Sequence, residues 1–452
     1  MKKKNISKLI ALSLVAGMVL SVTGCAGIGK GKVVELRFHD IMPSAEREEY
    51  FKGVIEDFNA QHDNIKVTFE STPWDQAHNK LITLGSANNL PDITIMHQDW
   101  LAEFTSAEWL VTLDDYYEPW KETLTDFAIG TLIGYDQQKV FGHVYGIPQS
   151  TGGHAMFVRT DWLEEVGMTV EDLDTWEDYY KAAELMTDAS KDRYGYSFRG
   201  ARGGADHATF PLQGALNGKI YEEDGTCRHN YPEAVEAFTD FCDLYLKGWA
   251  PVDSINWGYA EQVQGFTSGL TGILNNNPEV IQVCEETMDP DTWTTAQFPR
   301  SADGNIYAKA DSMYYSITSS CKYPEEAWEF IKFLMTDEPN AEWCELFYNI
   351  PVTRSLANDP KFKTGKMAGF IETLEDPNFV RRPTYGYFSE VTEFSETIHD
   401  QEVQRYLLGQ QTAQDALDNV AAFLTEKQQA FMKENPDTPL PRATRRDGSV
   451  VE

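Results

Sequence analysis

Near residue 34 the hydrophobic positions alternate. Val34, Leu36 and Phe38 are separated by Glu35 and Arg37, the period-two pattern of a strand with one buried face. Ser44 stands where it can cap a helix, and Tyr50, Phe51, Val54, Ile55 and Phe58 then recur on one helical face. Ile65, Val67 and Phe69 predict a second strand. Leu81, Ile82 and Leu84 predict a helix ending near Gly85, and Pro91-Asp92 opens the short buried strand Ile93-Thr94-Ile95-Met96. Strand, helix, strand, helix, strand implies right-handed crossovers and a mostly parallel sheet. Ligands of such sheets sit beyond the carboxyl ends of the strands. This chain places His39-Asp40 and His97-Gln98-Asp99-Trp100 there.

A second unit of the same kind starts near residue 150. Met156-Phe157-Val158 reads as a strand, and Thr175-Trp176-Glu177-Asp178 reads as a helix start with Thr175 as N-cap. Ala234 to Leu246 is amphipathic. Pro324 to Met335 predicts a helix, with Pro324, Glu325 and Glu326 suiting its first turn and Ala327, Trp328, Ile331, Leu334 and Met335 forming its apolar stripe. From Asn435 onward there are three prolines and no period, so this tail is expected to be loose.

Composition narrows the class. At 452 residues, 42% of them hydrophobic, the chain has material for two or three domains, which excludes a disordered chain and a small disulfide scaffold. Acids outnumber bases 71 to 38. A charge of −33 repels phosphate backbones, so no nucleic-acid partner is expected, and the same surface keeps an exported protein soluble. Lys2, Lys3, Lys4 and Lys8 precede an apolar run from Leu9 to Val22, the order of a signal peptide and too short for a comfortable membrane span. Val22-Thr23-Gly24-Cys25 resembles a bacterial lipobox, which implies cleavage before Cys25, a diacylglycerol on its thiol and a tether at the outer face of the membrane. Residues 25–32 then read as a linker. The remaining cysteines, Cys227, Cys242, Cys284, Cys321 and Cys344, form no CxxC pair. Most are expected to be buried small groups, and one disulfide stays open. GxSxG, HExxH, P-loop and GxGxxG motifs are absent, no EF-hand loop matches, and no metal or cofactor is called for.

Several segments in order carry a family resemblance. They are Lys80-Leu81 with Gly85 and Leu90-Pro91-Asp92-Ile93, Gly142-His143-Val144-Tyr145-Gly146-Ile147-Pro148, and Phe157 to Leu163 with Gly167 and Thr175-Trp176-Glu177-Asp178. Phe266 to Gly272, Glu325 to Leu334 and Gly409 to Leu417 complete the set. From about Val33 to about Phe423 the chain resembles the maltose-binding-protein-like extracellular solute-binding proteins, the receptors of ABC importers. Arg159 stands where the family usually has Asn, and Gly272 where a small Ala is usual. Gly203-Gly204 and Asn275-Asn276-Asn277 look specific to a subgroup.

The resemblance implies an α/β, two-lobed periplasmic-binding-protein-like fold of type II with a cleft between lobes. It implies an N-lobe of 33–148 and 304–350, a C-lobe of 149–303 and 351–452, and a first hinge near Ser150-Thr151-Gly152-Gly153. The implied function is capture of a carbohydrate, an oligosaccharide, by a monomer that delivers it to permease subunits without catalysis. A sugar has hydroxyls on its rim and C–H groups on its faces, so it calls for planar polar groups and aromatic rings.

The candidates follow from that chemistry. Asp40 and Asp99 follow strands at the cleft side, or cap helices. Trp74-Asp75 opens a helix after Pro73, and Trp74 and Trp100 offer rings, or pack their lobe. Gln149 follows the crossover. Arg199 and Arg202, among glycines, would hold a carboxylate, a phosphate or sugar hydroxyls, or form salt bridges. Trp257 and Tyr259 precede a helix. Asn275, Asn277 and Glu279 follow a strand, and Tyr385 and Tyr387 flank Gly386 where the family presents an aromatic platform. The arginines keep an anionic solute, a sugar phosphate or uronate, as an alternative ligand. A surface glycoside hydrolase is the alternative of another class, since so acidic a chain always supplies two carboxylates.

Overall fold

The computed structural model describes residues 32–201 and 203–451. In chain order its strands are β1 (Val34–Asp40), β2 (Ile65–Ser71), β3 (Ile93–His97), β4 (Ile147–Pro148), β5 (Gly152–Gly153), β6 (Ala155–Arg159) and β7 (Tyr194–Tyr196). They continue as β8 (Thr271–Asn276), β9 (Trp293–Ala296), β10 (Ile306–Ala308), β11 (Ala310–Asp311), β12 (Met313–Ile317), β13 (Phe379–Arg381) and β14 (Thr444–Arg445).

The molecule has two α/β lobes. In the first, the sheet order is β2-β1-β3-β12-β4. The alternating side chains of β1 put Leu36 and Phe38 into a core with Phe51, Val54 and Phe58 of the helix Ala45–Gln61. That helix starts as its sequence dictates, with Ser44 Oγ accepting from Arg47 N at 3.2 Å. The helix Pro324–Leu334 has Pro at its start and buries Ala327, Trp328, Phe330, Ile331 and Leu334. In the second lobe the order is β7-β8-β6-β9, and Thr175 and Asp178 form a reciprocal capping box on the helix Trp176–Met186.

The expectation of mostly parallel sheets needs correction. β1 is parallel to β2 and β3, but β12 runs antiparallel to both β3 and β4. In the second lobe β6 is antiparallel to β8 and to β9, and only β7 and β8 are parallel. β12 follows directly on the crossing from the other lobe, with no covering helix between, so nothing obliges it to share the direction of β1 and β3.

The lobe boundaries shift as well. β10, placed by the sequence in the first lobe, pairs with β13, and Ile306 and Ala308 lie in the second lobe's core. The return crossing therefore falls at residues 309–312. Val352, Leu356 and Phe362, assigned to the second lobe, lie in the first core. The tail is not loose: Thr444 and Ala443 are fully buried and β14 pairs with β13.

Candidate ligand-binding cleft

Two crossing strands lie side by side at the hinge. Gly153 pairs with Ala310 and Gly152 with Asp311, while Thr151 bridges Ile350. Ser312 Oγ donates to Ser150 O, and Asn340 Nδ2 to Gln149 O, each at 2.8 Å. A Cβ on Gly153 would sit 2.9 Å from Lys309 O, so this glycine serves the close approach of two backbones.

Lys309, between β10 and β11, ties the crossing into the second lobe. Its Nζ lies 2.8 Å from Asp206 Oδ2, which also takes Arg382 Nη2 at 2.5 Å, and Tyr385 OH donates to Asp206 Oδ1 at 2.6 Å. Arg382 Nη1 donates to Thr209 Oγ1 at 2.9 Å. Burial opposes ionisation of Asp206, but Arg382 and Lys309 outweigh it and hold the carboxyl well below its usual range.

The first lobe's wall is aromatic. Pro73 precedes the helix Trp74–Ser86, and β3 ends at His97 just before Asp99 and Trp100. These two strand-end segments bring the indoles of Trp74 and Trp100 into a stack, with centroids 4.9 Å apart and planes 20° apart. His97 meets Trp74 edge-on at 5.1 Å, and His78 Nε2 pairs with Glu103 Oε2 at 2.8 Å while its ring leans on Trp100. Trp100 is buried, whereas Trp74 is half-buried and Asp99 exposed.

The second lobe's wall is charged. Tyr259, Glu279 and Glu396 are exposed, yet the protein around them desolvates all three and raises their pKa values. Asn277 Nδ2 lies 3.4 Å from Glu279 Oε1. Glu396 feels His97, Asp99 and His78 of the other lobe, together with Arg199 of its own. Asp400, raised to about 6 by burial, accepts from Gly203 N and Ala205 N at 2.6 and 2.9 Å. Tyr387 meets Phe141 of the first lobe at 5.9 Å, edge to face, and Arg381 pairs with Asp136. A pocket between the lobes is lined by Gln98, Asp99, Asp136, Arg381 and Tyr387.

Of the residues predicted from sequence, Asp99 and Tyr387 line the pocket between the lobes, Trp74 stacks on Trp100 beside it, and Arg199, Tyr259, Glu279 and Asn277 neighbour one another in the second lobe. Gln149 and Asn275 are fully buried beside the hinge, and neither side-chain amide has a partner among the described residues. Three expectations fail. Asp40 is fully buried, and its two carboxylate oxygens take Arg47 Nε at 3.1 Å and Nη2 at 2.5 Å. Tyr385 is no platform, because its hydroxyl is held by Asp206 and its ring lies 4.9 Å from Phe394. Trp257 packs on the backbone of Gly265, where a Cβ would come within 2.6 Å of the indole. Asp75 falls in the first turn of its helix with its side chain undescribed, and Arg202 and Cys25 lie outside the described residues. The sequence reading missed His78, Glu396 and the Asp136–Arg381 pair. His97 was legible as a strand end; Glu396 had no local signal.

Comparison with known proteins follows the same outline. Residues 44–341 match the family model of bacterial extracellular solute-binding proteins. A putative binding protein of Brucella abortus (strain 2308) is 23% identical over 371 residues, 81% of this chain and 87% of the relative. The maltotriose-binding protein of Pyrococcus abyssi is 25% identical over 362 residues, 77% of this chain and 73% of the relative. The GacH receptor of Streptomyces glaucescens, solved unliganded and with acarbose, shares the fold with a TM-score of 0.73 at 20% identity, covering 90% of this chain and all of that one. With the family model matching well over half its length, this chain belongs to the bacterial extracellular solute-binding proteins.

Proposed function

We propose that the protein captures a neutral carbohydrate, an oligosaccharide, between its lobes and delivers it unaltered to an ABC importer. The observation that carries this reading is the Trp74–Trp100 stack, next in the chain to Gln98 and Asp99 of the pocket between the lobes, with Glu396 of the second lobe in the field of His97 and Asp99. Stacked indoles match the C–H faces of a pyranose, and carboxylates accept from its hydroxyls. The maltotriose-binding relative and the acarbose-bound fold neighbour support the same ligand class. The charge distribution disfavours the anionic alternative: Asp400 and Glu396 act on Arg199, Arg381 is paired with Asp136, and Lys309 and Arg382 are both engaged by Asp206. Closure brings both walls onto one ligand, and a ligand that binds the closed form better shifts the population toward it.

Calorimetric titration against a panel of neutral, amino and uronate oligosaccharides tests the reading. A neutral glycan should bind, raise the melting temperature and be recovered intact. Tighter binding of a uronate would refute the neutral site, and recovery of cleaved glycan would refute the receptor role. The lipobox supports tethering through Cys25 at the outer face of the membrane, with the protein acting as a monomer. Cys25→Ser should release it into the medium.

A further inference from the structure

Residues 435–451, beyond the helix Ala413–Glu434, belong to both lobes. On one side they extend the second lobe: β14 pairs with β13, and Ala443 and Val451 pack with Tyr307 and Val380. The chain then turns back on itself, with Arg445 N donating to Ser449 O at 2.8 Å and Val451 N to Ala443 O at 2.9 Å. Asp447 Oδ1 accepts from Ser449 N at 2.9 Å and fixes the tip.

That tip rests on the first lobe. The π-helical segment Ala128–Lys139 places Ala128, Leu132 and Ile133 in the first core. From it Thr131, fully buried, donates to the carbonyls of Arg445 and Arg446 at 3.2 and 2.9 Å. Gly130 and Gly448 meet backbone to backbone. A Cβ on Gly130 would lie 2.5 Å from Asp447 O, and one on Gly448 would overlap Gly130 O. Farther along the same helix, Tyr135 OH reaches Leu440 O at 3.5 Å and Asp136 pairs with Arg381. Arg446 Nη1 returns to Glu375 O of the second lobe at 3.2 Å.

The placement gives these contacts leverage. Arg446 shares a pocket with Thr151 and Ile350 of the hinge, while Asp136 and Arg381 share the cleft pocket with Asp99. A rotation that parts the cleft walls must therefore break the Thr131 and Asp136 contacts or peel the turn from β13. Contacts made in only one arrangement bias the population toward it.

We infer that residues 435–451 form an interlobe strap that holds the lobes together, and that releasing it opens the receptor. The inference needs two lobes and a hinge but no particular ligand. Small-angle X-ray scattering of the ligand-free protein tests it. Gly130→Ala, which drives a methyl into the docked turn, should raise the radius of gyration. So should the near-isosteric double variant Thr131→Val, Asp136→Asn, with a single cooperative melting transition retained in both. If the folded double variant scatters like the parent, the strap is overturned, whatever Gly130→Ala does to folding. Because no ligand is present, that failure would leave the carbohydrate reading intact, and an empty glycan screen would leave the strap intact.

Discussion

The first lobe stacks the half-buried Trp74 on the buried Trp100 with His97 and His78 against them, whereas the second groups Glu279, Glu396, Tyr259 and Arg199. Trp74 is supported by Trp100 within its own lobe, so that platform exists before any ligand or partner lobe arrives. Glu396 instead takes its environment from both lobes. The division suits a receptor that docks ligand on an apolar face and then completes its polar shell by closing. The lobe interiors differ in the same sense. Around the crossing, the second is organised by Asp206 with Arg382, Lys309 and Tyr385, and it holds His154, His207, His229 and His399 buried. The first buries His39, which is paired with Thr72 and Thr94.

The largest expected effect attacks that buried network. Asp206→Ala leaves Arg382 and Lys309 without their shared carboxylate and should cost about 3–5 kcal/mol in denaturant unfolding, concentrated in the second lobe. An unchanged midpoint would remove the contrast between the interiors. Acid should act next. Burial lowers His207 and His229 to about 3, and His39 and His399 to about 4. At these histidines the unfolded chain binds more protons below pH 6.5; Asp136 and Asp400, raised to about 6 by burial, act the other way but are fewer and less shifted, so stability should fall as pH drops from 6.5 toward 4. With four of these five histidines, His154 included, the second lobe should lose protection first in hydrogen exchange. Earlier exposure of the first lobe would reverse the comparison.

Trp74→Ala should weaken glycan binding by about 2 kcal/mol, roughly thirtyfold, with a smaller loss of stability, since half of the ring is already in water. Equal affinity by calorimetry would deny the platform. The smallest pair separates wall from strut. Glu279→Gln should cost about 1 kcal/mol of glycan affinity and no stability, while Tyr385→Phe should cost about 1 kcal/mol of stability and no affinity.

Helix starts, strand faces and the hydrophobic stripe of the helix Pro324–Leu334 were legible because each depends on neighbours within one or two turns of chain. Asp99 was legible as a residue just past a strand, and Trp74 and Tyr259 as residues at helix starts. Asp40 and Tyr385 misled because a strand-end carboxylate and a glycine-flanked tyrosine look alike whether they face solvent or a buried charged partner. Arg47 and Asp206 decide the matter, the latter from 179 positions away.

By itself, then, the sequence determined two stretches of alternating strands and helices and a pool of aromatic and acidic candidates. Periodicity, caps and composition act locally and survive without a partner. Only the tertiary structure decided that β10 stays with the second lobe, that β12 runs antiparallel, that Glu396 lies in the field of the other lobe's histidines, and that the proline-rich tail packs against both lobes. Each of those outcomes depends on which distant backbone or charge comes to rest alongside, and a tail with no pattern of its own can still be ordered by the carbonyls it offers to Thr131 and the space left beside Gly130.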